Sequence, residues 1–186
     1  MTAAEYFEQM YAESSDPWQL AERAYEQRKY ALTVASLPRD RYRRGFEPGC
    51  SIGVLTGLLA PRCDELISTD PVAAPLTLAR QRVGGSHVSL RQAALPDDWP
   101  AGPLDLVVLS EVLYYLSAAA RVQVLAHVMS TLAPDGHLVL VHWRHRFEAA
   151  TCTGDEAHDE VVACEGLVTL VKHVERDFRL EVLGRG

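Results

Sequence analysis

The sequence predicts a doubly wound α/β domain: a Rossmann-like, seven-stranded, mostly parallel sheet with an antiparallel C-terminal hairpin, helices on both faces and an N-terminal helical lid. Three observations predict it. From Arg43 onward, short apolar strand patterns alternate with amphipathic helical ones across short loops, which calls for right-handed βαβ crossovers and a parallel sheet. The segment LDLVVLS at 104–110 is almost continuously apolar, as a strand covered on both faces must be. The final segments LVTLVKHV and DFRLEV alternate at period two across a tight turn, which reads as a hairpin. At 186 residues the chain is expected to form one domain, 1–186, with a lid over 1–38 and an α/β core over 43–186.

Taken in order, AAEYFEQMYAE reads as a first helix, broken by SSDP. A longer helix is expected over WQLAERAYEQRKYALTVASL, ending at Pro38. Pro17 suits its opening, since proline at the first helical position loses no intrahelical bond. Leu20, Ala24, Ala31, Leu32 and Ala35 make its apolar stripe. The core then reads RRGFE as strand, VLTGLLAPRC as helix, ELISTD as strand, PLTLARQRV as helix, HVSLRQ as strand and LDLVVLS as a central strand beside the first. After it come the helix ARVQVLAHVMSTLA, a turn at PDG (134–136) and the strand HLVLVHW. RHRFEAATCTGDEAHDE reads as a loop with a short helix before the hairpin.

Composition narrows the classes. With 48% hydrophobic and 23% charged residues the chain is expected to pack a globular core. A net charge of −7 repels phosphate backbones, so nucleic acid is not an expected partner, and the basic run RDRYRR at 39–44 reads as solvated. No apolar run has the length of a membrane span and the N-terminal segment is acidic, so no membrane partner and a cytoplasmic location are expected. Cys50, Cys63, Cys152 and Cys164 are widely spaced without a CxxC pair, so reduced, mostly buried thiols and no metal site are expected.

The chemistry concentrates in GFEPGCSIGVLTGLL at 45–59. Here a strand ends in a loop of small residues, Gly49, Ser51 and Gly53, and a helix follows; backbone N–H groups can approach a nucleotide-like cofactor closely. The dinucleotide pattern GxGxxG is not met, which disfavours an NAD-dependent oxidoreductase, and no GK[ST] follows to cradle phosphates. With Glu47 ahead of it, GxSxG resembles the ExGxGxG motif of class I methyltransferases, Ser51 standing for the middle glycine. Asp70, seventeen positions after Gly53, closes the next strand, where a carboxylate can accept both ribose hydroxyls; it can equally cap the turn at Pro71. Ser110 and Glu111 close the central strand, followed by Tyr114 and Tyr115. A carboxylate there attracts a cationic amine and can take its proton, or simply favours a helix start.

The combination DPWQLAERAYEQRKY, FEPGCSIGVLTGLLAPRC, SEVLYYL and LAPDGHLVL, spanning Asp16 to about Trp143, resembles the nodulation N-methyltransferase (NodS) family. The resemblance implies a class I methyltransferase fold with strand order 3-2-1-4-5-7-6 and methyl transfer from S-adenosylmethionine to nitrogen, the family's acceptor being the free amine of a deacetylated chitooligosaccharide. It implies that Glu47, Gly49, Ser51 and Gly53 frame the methionine moiety and that Asp70, with Pro71 beside it, takes the ribose. Glu111, Tyr114 and Tyr115 would form the catalytic mouth, with Ser110, Glu111 and Tyr115 also expected to contact the cofactor, and Trp18 with Arg28 or Lys29 would close over the cofactor carboxylate. The chain departs from the family pattern at Ala94, where an Asp suited to adenine is expected; Asp97 or the Leu95 backbone is the substitute contact.

His142, His145 and His158 fall where acceptor pockets are often completed. His142 is the candidate base beside Glu111 and Tyr114, the alternative for each being a structural histidine. The expected reaction is direct in-line displacement, N-methylating an amine of a small molecule or amino sugar. The alternatives are an O-methyltransferase on a small-molecule or sugar acceptor, and a catalytically silent methyltransferase-like subunit that binds a partner.

Overall fold

The computed structural model describes residues 3–186. In chain order its elements are α1 (Ala3–Glu13), α2 (Ala24–Ala35), β1 (Tyr42–Pro48), α3 (Val54–Leu59), β2 (Cys63–Asp70), α4 (Ala73–Arg82), β3 (Val88–Gln92), β4 (Leu104–Ser110), α5 (Ala118–Thr131), β5 (Leu132–Trp143), α6 (Gly154–Val162), β6 (Leu167–Val174) and β7 (Phe178–Arg185). The strands form one seven-stranded sheet in the order β3-β2-β1-β4-β5-β7-β6, the order expected. By its internal contacts the chain divides into two compact units at Ala94/Leu95.

In the first unit β1 runs parallel to β2, from Tyr42↔Cys63 to Pro48↔Thr69, and β2 parallel to β3. Phe46, Leu59, Leu66 and Ala79 are fully buried and form its core with Ile67 and Leu76. One expectation fails here. The second helix begins at Ala24, not Trp18, because the Asp16 carboxylate captures the N–H groups of Leu20 (2.8 Å) and Ala21 (3.0 Å), and Gln19 turns left-handed at φ 57°. Pro17 thus opens a capped turn, and the short acid that could have started a helix folds the chain back instead.

In the second unit β4 and β5 are parallel, while β7 pairs antiparallel with both β5 and β6. From Leu104 to Leu109 no β4 side chain is more than 4% exposed, as its apolar run demands. The PDG stretch is not a turn before the strand but lies within β5. The ladder steps from Leu104↔Leu132 to Leu106↔His137, so residues 133–136 bulge out of register. At the start of α6, Thr153 and Glu156 form a reciprocal capping box. Among the described residues no helix is long and apolar enough to cross a membrane.

Candidate active site

In the first unit, β1 gives way to a loop in which Gly49 (φ 75°), Ser51 (φ 50°) and Gly53 (φ 78°) are all left-handed. Glycine adopts this conformation freely, but serine does so only when held. Among the described residues just Gln19, Ser51 and Glu111 share it without being glycine, and all three fall in segments singled out from the sequence. Ser51 is held on two sides: its N–H donates to Asp70 Oδ2 (2.9 Å), and its hydroxyl shares a 2.5 Å hydrogen bond with Tyr11. Gly53 is required sterically as well, since a Cβ there would lie 3.0 Å from the Cα of Ala79 in α4.

Asp70 ends β2 at 5% exposure. Its second oxygen accepts Val72 N–H at 3.0 Å, so it does cap the turn at Pro71. A carboxylate has about four acceptor directions, and two backbone donors leave room for two hydroxyls. Burial raises its pKa to about 6 against the pull of the Val72 and Ser51 N–H groups. Glu47 is buried more deeply, at 2% exposure, and accepts the Ser68 hydroxyl at 2.8 Å. Burial pushes it to about 7, the Thr56 and Ser68 hydroxyls opposing and the charge of Asp70 adding to the rise. It therefore supports the strand end from within rather than lining the loop.

Trp18 stands edge-on to Tyr11 (5.6 Å between centroids) and Phe7 (6.1 Å), tying the 16–23 turn to α1. Tyr11 completes the link to Ser51. The sequence reading missed it, although Phe7 and Tyr11 at i, i+4 on α1 were a visible signal. Of the two candidate cations, Arg28 is exposed, whereas Lys29 is buried at 2% exposure and paired with Glu26 at 2.8 Å. Pro71 is half-buried and its carbonyl accepts the Gln92 amide. The cysteines are free, and burial raises Cys50, Cys63 and Cys152, the second to about 12, so they are poor nucleophiles. A loop of small residues beside Asp70, whose carboxylate keeps acceptor directions beyond its two backbone donors, leaves capacity for a ligand's hydroxyls.

In the second unit Ser110 is half-buried opposite Val141, and Glu111 follows at φ 58° with its N–H on the Val141 carbonyl (2.8 Å). Glu111 Oε2 accepts two bonds, from the Tyr114 hydroxyl and from Trp143 N–H (2.9 Å). The Tyr114 ring is edge-on to Tyr115 (4.9 Å), His142 (5.1 Å) and Phe147 (5.1 Å). Thr151 and Arg121, neither anticipated, pin this turn. Thr151 N–H donates to the Tyr114 carbonyl (2.7 Å), and Arg121 donates to the Leu116 carbonyl (2.7 Å) while forking onto Glu160.

His142 does not stand as the expected base. It is fully buried, Nε2 accepting Leu113 N–H (3.1 Å) and Nδ1 bonded to His158 (3.0 Å), which leaves neither nitrogen for a substrate proton. His158 is equally buried and bonded to Glu181, while His145 is exposed and paired with Asp177. The structural alternative therefore holds for His142 and His158. Leu95 is half-buried, and Ala94 and Asp97 are exposed.

The model for the NodS family, nodulation protein S, matches residues 5–174. Nodulation protein S of Sinorhizobium fredii (strain NBRC 101917 / NGR234) is 35% identical over 129 residues, 68% of this chain and 60% of that protein. The crystal structure of N-methyltransferase NodS from Bradyrhizobium japonicum WM9 in complex with S-adenosyl-L-homocysteine matches with a TM-score of 0.84 at 26% identity, covering 100% of this chain and 99% of that one. A crystallised Pseudomonas syringae protein is 41% identical with a TM-score of 0.77, covering 88% of this chain and 100% of that one. The stretch matched spans between 54% and 61% of the first three nodulation proteins' length. With the strand order, these likenesses make the fold that of class I methyltransferases.

Proposed function

The chain belongs to the nodulation protein S (NodS) family, and from that premise we propose that it is an S-adenosylmethionine-dependent methyltransferase acting on the amine of a small molecule or amino sugar. The observation that carries the reading is the left-handed Ser51 bonded to Asp70, a strained loop locked to an acid that keeps acceptor capacity for two hydroxyls. The cofactor, when bound, supplies a methyl group already activated on a sulfonium, transferred by displacement without a covalent enzyme intermediate. The protein's work is then alignment, which can contribute roughly 7 kcal/mol or more, and management of one proton.

In this reading Asp70 takes the ribose hydroxyls, and Gly49, Ser51 and Gly53 let backbone N–H groups approach the methionine moiety. Tyr11 and Trp18 wall the loop, and of the two candidate cations Arg28, which is exposed on α2 where Lys29 is buried, is the better placed for the cofactor carboxylate. Leu95 remains the proposed backbone contact for adenine. On the second unit Glu111, its Oε2 held by Tyr114 and Trp143 N–H, holds the acceptor amine and takes the proton that must leave it. Tyr115, half-buried beside Tyr114, gives the acceptor an aromatic wall.

A transfer assay with methyl-tritiated S-adenosylmethionine tests the proposal on three acceptors: a chitosan tetramer with free amines, its fully N-acetylated counterpart and a simple hydroxylated glucoside. Label is expected only on the tetramer with free amines. Label on the other two instead would replace the N-transfer reading with O-transfer. Cofactor binding without transfer to any amine would favour the silent, partner-binding alternative.

A further inference from the structure

Inside the second unit a line of hydrogen bonds runs from the turn that carries Tyr114 to a salt-bridged carboxylate, and donor counting fixes every proton along it. Leu113 N–H can only donate, so His142 Nε2 accepts and is unprotonated. Neutral His142 then carries its proton on Nδ1 and donates to His158 Nε2. His158 in turn holds its proton on Nδ1 and donates to Glu181 Oε2 at 2.8 Å. Arg179 forks onto both oxygens of Glu181 (3.0 and 3.1 Å) and reaches Asp159 at 2.7 Å. Burial raises the Glu181 pKa, but the bonds from His158 and Arg179 outweigh it and hold the group charged, at about 2.

This line admits no further proton. Protonating His142 at Nε2 sets two donors face to face with Leu113 N–H. Protonating His158 at Nε2 forces His142 to accept at Nδ1 and to carry its proton at Nε2, with the same collision. Around the pair, Glu181 and Asp155 favour the extra proton while burial and Arg179 oppose it, and burial prevails, lowering His158 below the usual imidazole value. Lys172 lies 3.5 Å from Glu181, and the Tyr114 ring, which carries the hydroxyl bonded to Glu111, packs on His142. Gly154 makes the approach of α6 possible: a Cβ there would sit 2.2 Å from the Trp143 carbonyl oxygen, and His158 follows four residues later on the same helical face.

We propose that His158, Glu181 and Arg179 are positioning residues for methyl transfer, which through neutral His142 fix Leu113 N–H and the Tyr114 ring, and thereby the carboxylate of Glu111, without touching substrate. The proposal rests on the methyltransferase reading. Its signature is a turnover number that falls when the line is broken, while affinity for the cofactor is left unchanged by substitutions in the line.

His158→Gln and His158→Phe test it on the full chain. A glutamine carbonyl can accept from His142 and its amide can donate to Glu181, whereas phenylalanine fills the space and does neither. With the chitosan tetramer at saturating cofactor, kcat of the Gln variant is expected within about three-fold of the parent, and that of the Phe variant about ten-fold or more lower, the size of one buried hydrogen bond left unmade. Affinity for S-adenosylhomocysteine should be the same in all three. Nitrogen-15 NMR is expected to find His142 and His158 neutral and protonated at Nδ1 at pH 7, and Leu113 N–H exchange slow in the parent and the Gln variant but fast in the Phe variant. A His142 proton on Nε2, or unaltered turnover in the Phe variant with intact cofactor binding, overturns this proposal alone. Failure of the parent to bind S-adenosylhomocysteine overturns the methyltransferase reading and this proposal with it.

Discussion

Replacing Glu47 with glutamine should stabilise the ligand-free protein at pH 8 and leave it almost unchanged at pH 4.5. Glu47 is 2% exposed, and burial raises its pKa from the ordinary 4.5 to about 7. An acid raised in this way stabilises the fold fully below its unfolded pKa and loses that contribution as pH climbs through the folded value. At about 1.4 kcal/mol per pH unit, the rise means that ionised Glu47 costs the folded state about 3 kcal/mol above pH 7. Glutamine removes the charge, keeps an oxygen for the Ser68 hydroxyl and offers an N–H to Thr56. Urea unfolding of both proteins at pH 4.5, 6 and 8 should show the variant's advantage growing from near zero to about 3 kcal/mol, or roughly 6–12 °C in melting temperature for a chain of this size. A stability difference independent of pH, or a variant weaker than the parent at pH 8, would refute the reasoning.

Asp70→Asn should weaken S-adenosylhomocysteine binding by about ten-fold or more in calorimetry, because one amide oxygen cannot serve Ser51 N–H, Val72 N–H and a ribose together. In the parent the same affinity should fall as pH drops through about 6, where Asp70 gains a proton and loses acceptor capacity; an affinity flat from pH 8 to 5 would contradict the role given to it. Tyr11→Phe should cost about 1 kcal/mol of unfolding free energy by leaving the Ser51 hydroxyl without its partner. Gly154→Ala should cost about 1–3 kcal/mol in urea unfolding, since the new methyl meets the Trp143 carbonyl at 2.2 Å and α6 must retreat.

What the sequence made legible was whatever repeats locally. The alternation after Arg43, the apolar run of β4 and the hairpin pattern led to a mostly parallel sheet with an antiparallel end, while its strand order came from the family resemblance, and the small-residue loop with Asp70 pointed to a site whose parts are within hydrogen-bonding reach of each other. Side chains that act against the local pattern were not legible. Asp16 looks like the start of a helix but folds the next residues into a turn through two backbone bonds, and residues 133–136 punctuate a strand without ending it. Long-range pairing was the other gap. His142 reads as a base until His158, sixteen residues away, and Glu181, twenty-three further on, occupy its surroundings, and nothing in their spacing announces that meeting. Tyr11 and Ser51, forty residues apart, escape for the same reason.

The methyltransferase reading stands or falls on whether the loop from Gly49 to Gly53 with Asp70 receives an S-adenosyl ligand. Calorimetric titration of the full chain at pH 7.5 with S-adenosylhomocysteine, and separately with NAD, decides it. Saturable heat is predicted from the first and none from the second, with Asp70→Asn binding the first more weakly. A folded protein silent to S-adenosylhomocysteine at millimolar concentration would contradict that reading.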